Sequence, residues 1–350
     1  MGAPSGSVIE RYDGVICDLD GVVYRGGDAV PGAPAALQDM VIRGVRVVYA
    51  TNNASRVPAE VARQVAALGA PAAAMDVVSS AQAGAARLQA QLPAGAKVLA
   101  LGGDGVVEAL DQVGLAPVRP ADLDGTGAAD VAAVLQGYGR QLRVSDFETA
   151  ARLLTRDLAW VATNDDATLP LPWGESPGNG AYVDLLVTAT RRRPVVVGKP
   201  HPPLYRLALD HLGTSPSRTL AVGDRLATDI VGAATAGIHS AWVLTGVDRP
   251  SDLVGSGASP TYVVASLAEL LQPYAVAERD ADGWRCGGAF VRAGEDGLQI
   301  AQGRGTPAEA VRAGLAAIEE GAQDGRPTDR LREEALALDR LLDLAQASSR

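Results

Sequence analysis

Apolar positions in the first eighty residues fall into two kinds of pattern, short unbroken runs and helical stripes. Val15-Ile16-Cys17 is an unbroken run that stops at Asp18-Leu19-Asp20-Gly21, as a strand buried on both faces does. Arg25 to Gly32 holds three glycines and a proline and predicts a short flap over that strand's end. Ala33 to Arg43 reads as a helix with Leu37, Met40 and Val41 on its apolar face and Gly44 as its stop. Val45 to Ala50 is a second buried strand, ending at Thr51-Asn52-Asn53. Pro58 opens the next helix, with Val61, Val65 and Leu68 inward and Gly69 at its end. Strand, helix, strand, helix with unbroken apolar strands predicts a parallel sheet covered on both faces.

Between Ser80 and Ala189 the alternation continues with elements of its own. Lys97 to Leu101, Val131 to Gln136 and Trp160 to Thr163 read as strands, and Val106 to Val113 as a helix. Ser145 caps a further helix to Arg156, with Glu148 completing a capping box, and Pro117 to Gly127 is a loop. This is enough for a separate α/β layer inserted into the first domain. That domain resumes with a strand at Pro194 to Val197, ending at Gly198-Lys199-Pro200, and a helix over Leu204 to Leu212. Thr219 to Val222 is a strand ending at Gly223-Asp224, followed by a helix over Asp229 to Ala236 closed by Gly237. Ser240 to Leu244 and Tyr262 to Val264 add strands, and Leu267 to Leu271 a short helix. Beyond Pro273 the pattern changes. Trp284 to Arg292 and Leu298 to Gln302 pair as a hairpin around Gly294-Glu295-Asp296-Gly297, and two amphipathic helices follow, Ala308 to Glu320 and Leu331 to Ala345.

Composition narrows the classes of function. The chain of 350 residues is 47% hydrophobic but only 4% aromatic, so Ala, Val and Leu do most of the packing. A net charge of −10 argues against a nucleic-acid partner held through phosphate contacts. Cys17 and Cys286 offer neither a disulfide framework nor metal-ligand spacing. No apolar run approaches the roughly 18 residues that span a membrane, the first ten residues are small, polar and expected to fray, and no signal pattern opens the chain. Met1-Gly2 is not followed by Ser or Thr at position 6, which is Gly, so myristoylation is not expected. A cytoplasmic, reducing setting without membrane contact is the expectation.

The chemistry gathers at strand ends. Asp18 and Asp20 close one strand, Thr51 and Asn52 a second, Lys199 a third and Asp224 a fourth, with Asp229 inside the next helix. In open parallel sheets ligands bind outside the carboxyl ends of the strands. Alternate side chains of a strand share a side, so Asp18 and Asp20 point to one pocket, where they repel unless a divalent cation or a proton-transfer task resolves the conflict. Each residue alone fits a plainer role: Thr51 a helix cap, Lys199 a solvated loop, Asp224 a turn. Their joint appearance in this order is the signal. Leu101-Gly102-Gly103-Asp104-Gly105 imitates one of these strand ends, but it lies inside the insertion with no partner Asp-x-Asp, and Asp104 is read as a turn residue.

Asp18-Leu19-Asp20-Gly21, Thr51-Asn52-Asn53, Gly198-Lys199-Pro200 and Gly223-Asp224-Arg225 through Asp229 resemble the four motifs of the haloacid dehalogenase superfamily. The chain is similar to its phosphatase branch with the larger cap, the NagD or p-nitrophenylphosphatase-like family, over about residues 10 to 272. About 30 residues separate the first two motifs and about 150 the second and third, so the cap belongs in the second interval. The resemblance implies an α/β fold: a Rossmann-like doubly wound parallel core at 10–79 and 190–273, a C2-type α/β cap at 80–189, and a small α+β extension at 274–350. It implies that Asp18 is the nucleophile and Asp20 the general acid and base. It implies Mg2+ held by Asp18, the Asp20 carbonyl and Asp224, with Asp229 orienting bound water behind them. A phosphate dianion is repelled by Asp18 by ~4 kcal/mol at ~4 Å in an effective dielectric of ~20, which such an ion offsets. Thr51 and Lys199 hold phosphate oxygens, with backbone amides near Gly21, Asn52 and Asn53.

In the cap, Asn164-Asp165-Asp166 and Gly178-Asn179-Gly180 flank a proline-rich loop, Leu169 to Pro177. Similar segments of the family face the active site, which makes Asn164, Asp166 and Asn179 substrate-binding candidates. Arg191-Arg192-Arg193 reads as a solvated helix end, and His201 as structural or exposed. The tail resembles that of actinobacterial glycerol-3-phosphate phosphatases, whose extra segment is similar to a fragment of the acetyltransferase fold. Gly303-Arg304-Gly305-Thr306 lacks the pattern of a coenzyme pyrophosphate loop, so the tail is read as structural or interfacial. The implied partner is a small phosphorylated metabolite, best represented by glycerol 3-phosphate. A nucleoside monophosphate, phosphoglycolate or a sugar phosphate is the alternative, and a catalytically silent regulator the remote one. Caps and tails of this family supply dimer surfaces, so a homodimer is carried as an expectation.

Overall fold

The computed structural model describes residues 6–123, 127–171, 173–294, 297–301 and 303–348. Met1-Gly2, part of the loop expected at Pro117 to Gly127, Pro172, the Glu295-Asp296 turn and Gln302 lie outside the described residues. Two compact units divide the chain, Met1–Arg46 with Pro216–Arg350, and Val47–Ser215. Each is an α/β assembly built on parallel strands, as the apolar pattern requires.

In the first unit, strands Tyr262–Val264, His239–Val243, Thr219–Gly223 and Gly14–Cys17 lie side by side in that order, all parallel. Cys17 stands opposite Val222, and Gly223 opposite Trp242. This register brings Asp18, Asp224 and Thr245 out at one edge, because parallel strands in register end together. The flap is a two-stranded hairpin, Tyr24–Arg25 with Asp28–Ala29. The helix Ala33–Ile42 buries Ala36, Leu37 and Met40, while Val41 is exposed, so the inward stripe is one position narrower than expected. The N-terminal residues do not all fray: Val8–Arg11 forms a 3-10 turn with Val8 and Ile9 buried, because these two apolar side chains follow the polar start.

The helix expected over Asp229 to Ala236 starts earlier, as a π-turn at Leu226–Ile230 running into Val231–Thr235. The tail forms a four-stranded antiparallel sheet rather than one hairpin. Glu278–Asp280, Gly283–Cys286, Ala289–Gly294 and Gly297–Ala301 pair in sequence order. Gly287-Gly288 splits the run expected as a single strand; Gly287 has φ +52°, and a Cβ on Gly288 would meet the Gly305 nitrogen at 2.6 Å. Helices Pro307–Gln323 and Thr328–Ser348 complete the tail. Most of their inner faces do not form a core of their own. Ala308, Val311, Ile318, Leu331, Ala335, Leu338 and Leu342 share one buried cluster with Leu226, Ile230, Trp242, Leu244, Val254 and Val263 of the parallel-sheet region.

In the second unit, Arg46–Thr51 pairs in parallel with Val77–Ser79. A five-stranded parallel sheet follows in the order Val195–Val196, Ala159–Ala162, Val131–Gln136, Lys97–Leu101, Ala116–Val118. The edge strand Ala116–Val118 lies where a loop was expected, its Lys97↔Ala116 register set by Lys97–Leu101 rather than by its own pattern. Val195–Val196, expected to reopen the first sheet, instead pairs with Val161 and Ala162 in this one. The helix expected to be capped by Ser145 begins at Val144, and the Asp146 carboxylate accepts the Arg143 N–H at 2.8 Å, so Asp146 does the work assigned to Glu148. Leu99, Leu101, Val134, Phe147, Leu153, Trp160 and Leu186 are among the buried side chains of this unit's core. Among the described residues no helix is long and apolar enough to cross a membrane.

Candidate active site

Asp18 follows its strand directly, and its N–H continues the parallel ladder to the Val222 carbonyl at 2.8 Å. The chain then turns sharply. The Leu19 carbonyl accepts the N–H groups of Val23 and Tyr24, and Gly21 N–H donates to the Tyr24 carbonyl at 2.8 Å. Gly21 takes φ +80°, and a Cβ there would lie 2.4 Å from Asp224 Oδ2, so both conformation and space require glycine. This turn leaves Asp18 half-buried and Asp20 exposed.

Asp224 is 1% exposed and held at three points. Its Oδ2 accepts the Val247 N–H at 2.9 Å, its main-chain carbonyl accepts the Trp242 indole N–H at 3.0 Å, and a Cβ on Gly246 would meet its Oδ2 at 2.0 Å. Asp229, on the π-turn, accepts the Arg225 N–H at 3.1 Å and packs so closely on Gly223 that a Cβ there would meet its own Cβ at 2.2 Å. One carboxylate oxygen from each of Asp18, Asp224 and Asp229 lies within 4.8 Å of the other two. At that separation each pair of charges repels by about 3 kcal/mol in an effective dielectric of about 20. Two of the three carboxylates are buried. An all-oxygen set with this spacing suits a hard divalent cation. Asp229, expected to orient bound water, lies in this cluster with Asp18 and Asp224, and the Asp20 side chain is exposed.

The loop Thr245–Asp248 was not singled out from the sequence. Thr245 Oγ donates to the Gly21 carbonyl at 2.7 Å, Val247 N–H reaches Asp224, and Asp248 Oδ2 accepts the Leu226 N–H at 2.6 Å. Burial pushes the Asp248 carboxyl above the usual carboxylate range, and the Leu226 amide partly counters this. The one available signal was a further apolar strand ending in Thr-Gly.

The second unit gathers the remaining candidates. Thr51 is buried and its Oγ accepts the Asn53 N–H at 3.1 Å. Asn53 is exposed and its side-chain oxygen caps Ser55 N–H at 3.0 Å. Asn52 is a clasp: its Oδ1 accepts the Lys199 N–H at 2.7 Å and its Nδ2 donates to the Lys199 carbonyl at 3.0 Å. The same Nδ2 lies 3.2 Å from Asp166 Oδ2. Lys199 is 4% exposed. Asn164 is buried and donates to the Asn52 carbonyl at 2.7 Å; Asn179, also buried, donates to the Asn164 carbonyl at 2.6 Å. Asn164 and Asn179 therefore brace the Asn52 loop through main-chain bonds. Asp104 is an exposed first-turn residue paired with Arg119 at 2.6 Å.

Residues 15–116 match the model of the haloacid dehalogenase-like hydrolases, and residues 196–270 match a second model described as HAD-hydrolase-like. A D-glycerol 3-phosphate phosphatase of Mycobacterium tuberculosis is 40% identical over 268 residues, covering 76% of this chain and 73% of that protein. The 5'-nucleotidase YutF of Bacillus subtilis is 31% identical, covering 76% of this chain and all of that one. A crystal structure of glycerol phosphate phosphatase from Mycobacterium tuberculosis in complex with magnesium superposes with a TM-score of 0.79 at 36% identity, covering 92% of this chain and 94% of that one. The chain belongs to the haloacid dehalogenase-like hydrolases, within their phosphatase branch.

Proposed function

We propose that this phosphatase hydrolyses small phosphomonoesters with glycerol 3-phosphate as its preferred substrate, through a phosphoryl group carried on Asp18. The observation that carries the proposal is the cluster of Asp18, Asp224 and Asp229 at the carboxyl ends of neighbouring parallel strands. Asp18, the Asp20 carbonyl and Asp224, with Asp229 beside them, would hold magnesium, which offsets the repulsion between Asp18 and an incoming phosphate.

An Asp18 carboxylate oxygen attacks phosphorus while the bond from phosphorus to the leaving oxygen breaks. Asp20 gives its proton to that leaving alkoxide. It then takes a proton from the water that attacks the same phosphorus, releasing Asp18 and inorganic phosphate. Asp20 is exposed, which suits a group that must exchange protons with both alcohol and water. Thr51, Lys199 and the amides of Gly21, Asn52 and Asn53 hold the phosphate oxygens. The clasp of Asn52 on both main-chain groups of Lys199 fixes these two strand ends to each other. Asn164, Asp166 and Asn179, in the segment we assign to the cap, keep that clasp in place.

The same proposal takes residues 80–189 as the element that selects the leaving group, and 274–350 as an extension without coenzyme chemistry. In that extension the first turn of helix Pro307–Gln323 is closed by its own residues. Glu309 accepts the N–H groups of Thr306 at 2.8 Å and Gly288 at 3.3 Å, placing a carboxylate where a pyrophosphate would sit. A cytoplasmic homodimer completes the proposal, in keeping with two unbridged buried thiols.

Ranking kcat/KM over glycerol 3-phosphate, nucleoside monophosphates, phosphoglycolate and sugar phosphates tests the substrate. Glycerol 3-phosphate is expected first; a nucleoside monophosphate in that place would favour the activity named for the Bacillus relative. Turnover of p-nitrophenyl phosphate with magnesium, and its loss on chelation, separates an enzyme from a silent regulator.

A further inference from the structure

The tail ends far along the chain from every motif residue, yet it packs beneath the elements that carry two of the three clustered carboxylates. Trp242 is fully buried in the cluster shared with Val311, Ile318, Leu331 and Leu338, and its indole N–H donates to the main-chain carbonyl of Asp224 at 3.0 Å. Leu226 and Ile230, the first and last residues of the π-turn that bears Asp229, are buried in the same cluster. The tail is also pinned there by polar contacts. Arg312 donates to the Val263 carbonyl at 2.9 Å and to Glu269 at 2.7 Å, Ser251 N–H donates to Asp339 at 3.2 Å, and Arg249 pairs with Asp343 at 3.0 Å.

We infer that the C-terminal extension is a part of the metal site's scaffold and that Trp242 is the positioning residue through which it acts. The inference rests on reading Asp18, Asp224 and Asp229 as the magnesium site. Holding their backbones helps keep two buried carboxylates that repel each other close together. Asp224 is held by the Val247 amide on its side chain and by the Trp242 indole on its carbonyl. Asp229 is held by a turn whose two ends are anchored in the tail cluster. An indole ring fully buried in the cluster that also holds Val311 and Leu338 keeps one orientation, which fixes the direction of its N–H and, through it, the peptide plane of Asp224. Loosening the tail would let that plane rotate. The cation would then have to order the site itself, and its affinity would fall.

The test is Trp242→Phe in the full-length chain, which removes the N–H and keeps an aromatic ring, beside Leu338→Ala, which loosens the tail without touching Trp242's own chemistry. Half-saturating magnesium is measured from turnover. It is measured independently from the magnesium-induced rise in melting temperature, with the metal-free melting temperature in chelator as the folding control. Both variants are expected to raise half-saturating magnesium about fivefold to tenfold, the weight of one net hydrogen bond. KM for substrate at saturating magnesium stays within about twofold, and excess magnesium restores kcat. Lower metal-free melting temperatures with unchanged magnesium dependence would overturn the inference, since that is what plain core packing predicts. A wild-type protein indifferent to magnesium in both readouts would overturn the metal reading itself, and the inference with it.

Discussion

We take the five-stranded region as an insertion and residues 274–350 as an extension, and the two are built in opposite ways. The insertion's core runs from Leu99 through Leu186, with Val196 packed against it, and is closed by residues of its own segment. The extension has a four-stranded sheet and two long helices, yet most of their apolar face is completed by Trp242, Leu244, Val254 and Val263, which precede it. Its own separate cluster is small, centred on Cys286, Val291 and Ala313. An element that closes its own core can vary and move as a body. One that borrows half its core becomes part of what it was added to.

Truncation should break the two regions differently, and by the largest margin. Removing residues 274–350 uncovers six apolar side chains from Leu226 to Val263. At ~1.5–3 kcal/mol for each large one, the loss is comparable with the ~5–15 kcal/mol that holds a domain folded. The truncated chain should lose the transition of the unit that carries Asp224 and keep only that of the insertion by calorimetry. Residues 80–198 expressed alone should show one. A truncated chain that keeps both transitions would put the extension on the same footing as the insertion.

Arg312→Ala sharpens the same contrast at one residue. Its side chain is 5% exposed beside Glu269 and stacks 4.5 Å above the Tyr274 ring. Burial opposes its charge, but Glu269, Tyr274 and Cys286 together more than offset this and hold the guanidinium above its ordinary value. Losing it leaves Glu269 partly buried without its partner, and chemical denaturation should register about 3–5 kcal/mol. In the insertion, Leu186→Ala should cost about 2–5 kcal/mol, and the same amount in the 80–198 fragment as in the full chain. A much smaller cost in the fragment would mean that the insertion's core depends on residues outside it.

The smallest effect is on pH. Burial raises the Cys286 thiol and the Tyr274 hydroxyl, with Arg312 pulling both back. An acid whose folded pKa is raised stabilises fully below its unfolded pKa and loses that contribution as pH rises toward the folded one. Stability should therefore start to fall above the ordinary thiol value of roughly 8.5. Cys286→Ala should flatten that alkaline slope in urea melts at pH 8 and pH 10; an unchanged slope would assign it elsewhere.

Most strands and helices were legible in the sequence because their apolar periods are local. Gly14–Cys17 and Thr219–Gly223 read as unbroken runs, and each ended where its chemistry began. The site was legible for the same reason: parallel strands end together, so residues two hundred positions apart could be assigned to one edge before any coordinates. What escaped notice was pairing. Val195–Val196 carries no mark of which sheet it joins, and nothing in Val311 or Leu338 announces that they share a core cluster with Trp242. The bracing of Asp224 by Thr245–Asp248 was hidden too, since a backbone amide donor leaves no trace in residue identity. Asn164 and Asn179 were found as polar residues in the right segment, but only their hydrogen bonds to main-chain carbonyls tell bracing from display.

The central claim is that Asp18 carries the phosphoryl group. Asp20→Asn keeps the nucleophile but removes the base that activates water, so the intermediate should outlive its formation. Glycerol 3-phosphate with magnesium, quenched in acid and digested, should yield a phosphorylated peptide containing Asp18 in that variant and none in Asp18→Asn, which should also have no turnover. Turnover retained by Asp18→Asn, or a phosphoryl group found on any other residue, would contradict the account.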